Sequence, residues 1–369
     1  MFHHNGANSD GRLALFEGPG KEFVIKSFPI RKLNPGEILV KNIYTTICGS
    51  DLHTFCGTRK EACPTVLGHE IVGEILDISP THTGFDLNGE PLIIGDRITW
   101  SIFASDPTSH YAQAGIPQKG ENLFKYGHAL AQQNDVFHGG MAEYCILRPH
   151  TGILKLPVTL PLNIASTVNC SIATVAGALR LAGNLAGKNV LITGMGHLGI
   201  TCAAMCADRG AAWIGAADIS AARLQVARQF GVHDTVHMQA NAEVNARTLQ
   251  ALLPNQRLDL VIDMSGNPAA IEFGLNALTI GGIAIWVGAV FNTRDIAVNP
   301  ERMIRNLLTI RGLHNYNFED LQAALDFMER NWQRYPFGNM VEKEFPLDDA
   351  QAAFTYAVEQ KPFRVGIKM

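Results

Sequence analysis

The sequence predicts an α/β protein in two parts, a mostly β part followed by a doubly wound parallel sheet, and three observations carry that prediction. With 369 residues, 47% of them hydrophobic and only 17% charged, the chain can bury a large core, and its length corresponds to about two domains. Before about residue 160, short apolar runs are punctuated by Gly and Pro. From Lys188 onward, strand-like runs alternate with helical ones, the signature of βαβ units and so of a parallel sheet covered by helices.

In order, "GEILVKNIYTTI" (36–47), "HEIVGEILDIS" (69–79), "DRITWSIF" (96–103) and "AEYCILRP" (142–149) read as strands through their β-branched or alternating apolar character. In the second part "NVLITGMG" is a strand, 198–209 a helix, "AAWIGAADI" a strand and 221–230 a helix; "LDLVIDMSG", a helical 268–278 and "GGIAIWVGAV" continue the alternation. A last helix over 318–330 precedes a closing strand in "RVGIKM".

Composition excludes several classes of function. Thirty basic against thirty-four acidic residues leave a formal net charge of −4, and no run of Lys and Arg suits a nucleic-acid backbone. "MFHHNGANSDGR" lacks the basic start and apolar core of an export signal. The apolar run "IGGIAIWVGAVF" (280–291) is short of the roughly 20 residues a membrane helix needs. We therefore expect a cytoplasmic protein with neither a membrane nor a nucleic-acid partner. Its seven cysteines are an odd number spread over a long chain, which predicts reduced thiols free to bind metal.

"VLITGMGHLG" sets Gly194, Gly196 and Gly199 in G-x-G-x-x-G spacing where a strand meets a helix, with His197 and Leu198 between the last two. The first glycine permits the tight turn, the second lets a pyrophosphate approach the backbone, and the third allows close helix-to-strand packing. The helix then presents unsatisfied N–H groups to the phosphates. Asp218 ends the next strand, 19 residues beyond Gly199, where a carboxylate holds ribose hydroxyls and repels a 2′-phosphate. The expected cofactor is therefore NAD rather than NADP. Arg223 either lines the ribose pocket or is a solvated helix charge. His197 is expected to be solvated.

"CGSDLH" (48–53) packs a thiol, a hydroxyl, a carboxylate and an imidazole into six residues. Three readings are open: a metal ligand with helpers, a Cys/His nucleophile pair, or a polar turn. "PTVLGHEIVGEI" adds His69 and Glu70, and "STVNCSIATVAGAL" adds Cys170. Two thiolates and an imidazole suit zinc, and three protein ligands leave a fourth position for substrate. The spacings are too long for a local clip, so the residues alone leave the choice open.

This ordered series, from "CGSDLH" and "GHEIVGEI" through "GDRI", the Cys170 segment and "GMGHLG" with Asp218 to "FRVGIKM", resembles the zinc-dependent medium-chain alcohol dehydrogenases, including the polyol and threonine dehydrogenases. The resemblance spans nearly the whole chain. It implies a GroES-like catalytic domain over 1–171 and 314–369 and a Rossmann domain over 172–313. It also implies an NAD-dependent oxidation of a small-molecule alcohol, and a homodimer or homotetramer. By matching position, Cys48, His69 and Cys170 would ligate the catalytic zinc, with Glu70 able to approach it. Ser50 would bond the substrate oxygen and His53 would pass its proton to solvent. Asp51 would pair with Arg364, and Arg364 would also reach the cofactor pyrophosphate. Gly49 lacks the side chain many members carry there. A thiolate committed to zinc is not free to attack substrate, which removes the nucleophile reading.

Many members carry four cysteines spaced C-x₂-C-x₂-C-x₇-C for a second, structural zinc. Here Asp106, Ser109, Ala112 and Gly120 stand at those positions, so one zinc per chain is expected. Cys202 and Cys206, four apart on a helix, are expected to be packed core thiols, whereas Cys56 and Cys63 could lie near the mouth of the site, their position saying nothing of reactivity. "CGSDLHTFCGTR" and "AGIPQKGENLFKYGH" look similar to a subgroup proposed to be associated with phosphonate catabolism. An anionic substrate would need cations, and Arg59, Lys60, Lys119 and Lys125 are the candidates. The alternative is a polyol or amino-alcohol substrate. A zinc-free double-bond reductase or a non-catalytic NAD-binding relative would be favoured by loss of a zinc ligand, and none is lost.

Overall fold

The computed structural model describes residues 10–132 and 134–369; the N-terminal segment 1–9, read above for an export signal, lies outside them. The chain divides into two compact units. The first runs to Cys170 and regains Asn317–Gln322 and Gly338–Met369; the second comprises Ser171–Tyr316 and Ala323–Phe337.

The second unit is built on six parallel strands. In spatial order they are Asp234–His237, Trp213–Asp218, Asn189–Thr193, Leu260–Asp263, Ile283–Trp286 and Thr309–Gly312. Numbered along the chain this is the order 3-2-1-4-5-6, the doubly wound arrangement whose direction reverses beside the first strand. All of Asn189–Thr193 is buried, as a strand covered on both faces must be. The α/β class read from the sequence holds. The edge strands Asp234–His237 and Thr309–Gly312, with exposed and half-buried residues, were not anticipated because each mixes polar with apolar side chains. The division also corrects the expected return at 314. Ala323–Phe337 belongs to the second unit, where Phe230 packs on Tyr335 and Phe337 and Asn331 bonds Asp208.

The first unit holds an eight-stranded sheet. Its main path runs through Val341–Pro346, Arg364–Lys368, Ile38–Thr46, Glu70–Ile78, Arg97–Ala104 and Phe124–Lys125. Tyr144–Leu147 pairs with Ile38–Thr46, and Thr151–Lys155 with Arg97–Ala104. Pairing is antiparallel except between the two C-terminal strands. Because Gly366 stands opposite Thr46, the end of the chain is carried back to the start of the "CGSDLH" segment. An unanticipated hairpin, Asp10–Leu15 with Val24–Pro29, completes the unit.

One local expectation is corrected. "CGSDLH" is not a turn: Gly49–Phe55 is a helix capped at Cys48, because the Asp51 carboxylate accepts from the Cys48 N–H at 3.0 Å and so satisfies a donor the helix start leaves open. A longer apolar run, interrupted by Arg180, is the helical stretch Leu162–Ala182, with mean hydropathy 1.4; 78% of its apolar window is buried inside the protein, as befits a core helix.

Candidate active site

Cys48, His69 and Cys170 come together in the first unit, their ligand atoms all within 4.8 Å of one another. Each arrives on a different element. Cys48 caps the Gly49–Phe55 helix, His69 immediately precedes the strand Glu70–Ile78, and Cys170 sits on a π-helical turn, Val168–Ile172. The two sulfurs are 3.9 Å apart, close to the roughly 3.8 Å edge of a tetrahedron with zinc–sulfur bonds of about 2.3 Å. The set therefore fits zinc in chemistry and spacing. The Cys48 thiol is held well below its usual range by Cys170, with Arg364 and His69 adding to the effect, while Cys170 is pushed up.

The supporting contacts differ from those expected. Arg364 does not pair with Asp51. Its Nε and Nη2 donate to the two Glu70 oxygens, each at 2.8 Å, and Thr46 Oγ1 donates to the same carboxylate at 2.5 Å. Burial pushes Glu70 up to about 7 against the pull of Arg364. Arg364 is 7% exposed, and its Nη1 donates to the Phe363 carbonyl, so its guanidinium is committed within this unit. Asp51 instead lies 3.2 Å from His69 Nδ1 and accepts from the Gly68 N–H. A carboxylate on the far ring nitrogen fixes the tautomer that leaves Nε2 for a metal. Both acids neighbour a ligand in sequence, and nothing local says which one the strand register carries Arg364 to. Asn169, which sequence reasoning missed, donates to the His69 and Trp100 carbonyls at 2.9 and 2.7 Å and so ties the Cys170 turn to the other ligands.

Ser50 Oγ is 3.4 Å from His69 Nε2, within reach of a group bound at the open ligand position. His53 follows one helical turn later, its Nδ1 3.1 Å from Thr58 Oγ1, and burial lowers its pKa. Beside them is a basic cluster. Gly127, at φ 75°, has no room for a side chain, since a Cβ would meet the Gly68 carbonyl oxygen at 2.5 Å and His69 Cβ at 3.2 Å. That close approach seats His128 against His69, ring centroids 5.0 Å apart. Glu61 lies 3.5 Å from His128 Nδ1 and 2.6 Å from Arg59 Nη2. Lys125 is near enough that burial first, then repulsion from Lys119 and Arg59, lowers its pKa. Lys60 is exposed and has no part in the cluster. The signal that could have revealed His128 is its place directly after a glycine in "KYGH".

In the second unit the glycines behave as their spacing requires. Gly194, at φ 88°, closes the turn after its strand, and a Cβ on Gly199 would meet the Gly194 carbonyl oxygen at 1.9 Å. Gly196 is open; the nearest atom to a Cβ there is Arg223 Nη1 at 3.9 Å. Arg223 is thus brought over the loop. Asp218 accepts from the Met195 and Ser220 N–H groups at 2.5 and 2.7 Å, which holds its carboxylate against the loop. His197 is not solvated: it is 4% exposed, as the first residue of the helix His197–Asp208, and Leu198 is half-buried. Cys202 and Cys206 are fully buried with sulfurs 4.0 Å apart.

The lobe that in many relatives holds structural zinc is built here from local polar bonds. Asp106 accepts from the Thr108 N–H and hydroxyl, and Ser109 caps the short helix His110–Gln113. A Cβ on Gly120 would meet Ser105 Oγ at 2.6 Å and Ser109 Oγ at 2.9 Å. Among the described residues, the Cys48, His69 and Cys170 group alone gathers three such ligands.

Residues 34–158 match the alcohol dehydrogenase GroES-like domain, and residues 196–330 match the zinc-binding dehydrogenase family. L-threonine 3-dehydrogenase of Streptomyces avermitilis is 28% identical over 91% of this chain and 93% of its own length; that of Aeromonas salmonicida is 27% identical over 88% and 90%. An alcohol dehydrogenase structure from Thermotoga maritima superposes with a TM-score of 0.91 at 23% identity, over 98% of this chain and 99% of that one. A zinc-binding dehydrogenase of Sinorhizobium meliloti bound to NADP superposes at 0.84 and 21% identity, over 98% and 100%. With both characteristic domains present in order and three zinc-type ligands gathered in the first of them, the chain belongs to the zinc- and NAD(P)-dependent medium-chain alcohol dehydrogenases.

Proposed function

We propose that this dehydrogenase oxidises an alcohol bearing an anionic group, a phosphonate-bearing alcohol being the best fit, to the corresponding aldehyde or ketone, with NAD as acceptor. The observation that carries the reading is the basic cluster in which Arg59 and Lys125 neighbour His128, Lys119 lies near Lys125, and His128 packs on His69. A cluster of like charge partly withdrawn from water raises the local concentration of anions. Arg59 supplies the planar fork that suits a phosphonate. For NAD over NADP the support is Asp218, whose carboxylate is fixed at the glycine loop.

Cys48, His69 and Cys170 would hold the zinc, and the glycine loop the dinucleotide. When bound, zinc acts as a Lewis acid toward the alcohol, and the nicotinamide accepts a hydride. Ser50 would accept the hydroxyl proton and His53 would hand it toward solvent, a reading supported by Ser50 Oγ lying 3.4 Å from His69 Nε2 and His53 Nδ1 3.1 Å from Thr58 Oγ1. Asp51 keeps His69 oriented, and Arg59, Lys119 and Lys125 orient the anionic end of the substrate. The balance is one hydride to NAD and one proton released. Glu70, bonded to Arg364, is a positioning group in this scheme.

The test is NADH formation on a panel of 2-hydroxyethylphosphonate, 2-hydroxypropylphosphonate, ethanol, 2,3-butanediol, sorbitol and L-threonine. We expect kcat/KM for the phosphonates to exceed that for the neutral alcohols by about two orders of magnitude. Sorbitol or L-threonine as the best substrate would overturn the anionic reading. The threonine dehydrogenase relatives support the amino-alcohol alternative, and the same panel decides between them. Equal or better turnover with NADP would overturn the cofactor assignment.

A further inference from the structure

Glu61 stands among the cations beside the candidate zinc ligand His69 as their immediate counter-charge. Its Oε1 reaches Arg59 Nη2 at 2.6 Å and lies 3.5 Å from His128 Nδ1, and its side chain is only 17% exposed. His128 is 9% exposed, and its buried Nδ1 has no hydrogen-bond partner among the described residues. An orphaned buried nitrogen is costly unless something else accepts its bond. Lys125 forms no ion pair among the described residues. The cluster thus holds a guanidinium already occupied by a carboxylate, a buried ring nitrogen without a partner and an ammonium without an ion pair.

We propose that Glu61 is a specificity-determining residue, a built-in counter-charge that occupies the anion subsite of Arg59, Lys125 and His128 and sets how much negative charge a substrate must bring to take its place. The inference rests on the anionic-alcohol reading and deepens it. Arg59 and Lys125 contribute two positive charges and Glu61 removes one, so the subsite as it stands keeps one net positive charge for a substrate anion to balance. Glu61 also limits the attraction for free inorganic anions. A small anion without a hydroxyl must compete with a carboxylate that is already in place, whereas the true substrate gains a second attachment at the metal.

Coulomb energy is proportional to ligand charge, so neutralising Glu61 changes affinities in a graded way. The experiment is titration calorimetry on the zinc-loaded enzyme with NADH bound, using sulfate, acetate and uncharged acetamide as probes. The proteins compared are wild type, Glu61→Gln and Glu61→Asp. In Glu61→Gln, acetate affinity should rise about tenfold and sulfate affinity by about the square of that factor, with acetamide unchanged. Glu61→Asp, which keeps the charge, should stay near wild type. Equal shifts for all three probes, no shift, or weakened sulfate binding would each overturn the proposal. So would loss of L-threonine turnover in Glu61→Gln at unchanged sulfate affinity, which would make Glu61 an ammonium site. Failure of the underlying reading looks different: wild type would then turn over neutral alcohols best, whatever the calorimetry shows.

Discussion

Two pairs of thiols in this molecule have nearly the same geometry. Cys48 and Cys170 hold their sulfurs 3.9 Å apart, Cys202 and Cys206 theirs 4.0 Å apart. The first pair joins residues 122 apart in the chain and is ringed by His69, Arg364 and Glu70; the second lies on one helix among apolar neighbours. Their chemistry diverges accordingly. Cys48 is pulled well below its usual range by its partner thiol and by the positive groups around it, whereas burial pushes Cys202 well above. Sulfur spacing alone therefore does not make a metal site. A third ligand, His69, beside two neighbouring thiols makes a metal receptor, whereas two thiols packed on one helix form a patch of core.

The sharpest way to break that comparison is to remove one sulfur from each pair. Cys170→Ser should abolish zinc retention and lower turnover by orders of magnitude, while Cys206→Ser should retain full zinc content; elemental analysis beside NADH formation reads both. Loss of zinc from the Cys206 variant would refute the distinction. The same analysis on wild type purified without added metal should find one zinc per chain, and two tightly held ions would refute the reading of the lobe. Next in size, Ser50→Ala should depress turnover by roughly 10²–10⁴-fold with zinc and NADH binding retained. Normal turnover in a metal-replete variant would show that the proton leaves by another route. Asp51→Asn removes the charge beside His69 Nδ1 but neither thiol, and should weaken zinc affinity by about 10–100-fold. Competition with a chromophoric chelator measures it, and unchanged affinity would remove Asp51 from the site.

The smallest effect on the site comes from a charge cluster in the same unit that lacks thiols. Glu37, 1% exposed, accepts from Arg31 at 2.6 and 2.9 Å, from Arg148 at 2.7 Å and from the Asn34 N–H at 2.7 Å. Burial alone would raise its pKa, but these donors outweigh it and bring the group to about 2. A folded-state value below the unfolded one contributes stability above the ordinary carboxylate pKa, and that stability fades as pH falls toward 2. Glu37→Gln should therefore cost about 3 kcal/mol at pH 7, and the deficit should shrink progressively between about pH 4.5 and pH 2. Chemical denaturation followed across that range checks it, with zinc content at pH 7 unchanged. A pH-independent deficit would mean that packing rather than charge is responsible.

The two units also differ in how much of each could be read from the chain. The dinucleotide unit is legible because its devices are local. Gly194, Gly196, Gly199 and Asp218 fall within 25 consecutive residues, and each works through the backbone beside it. The zinc ligands are legible only through resemblance, because the parts lie on a helix cap, the start of a strand and a π turn brought together by sheet register. Arg364 shows the limit: its partner is Glu70, 294 residues away, and the register of the last strand, not any local pattern, chose Glu70 over Asp51. Glu61 and Asn169 carried no motif at all, and His128 only its place after Gly127. Their roles follow from Gly127 and the π turn, features whose meaning appears only when a second backbone is seen to press against them.

The π turn at Val168–Ile172 has an evolutionary consequence. A turn that spans one residue more than an α-helical turn behaves as a one-residue insertion. Losing a single codon there would restore ordinary helix and swing the residues on one side by about 100° relative to the other. Cys170 would leave the ligand set, while the helical stretches on either side could keep their own faces. A descendant of this sequence could thus lose its metal through one small deletion, with dinucleotide binding intact, and become a cofactor-binding protein without alcohol chemistry.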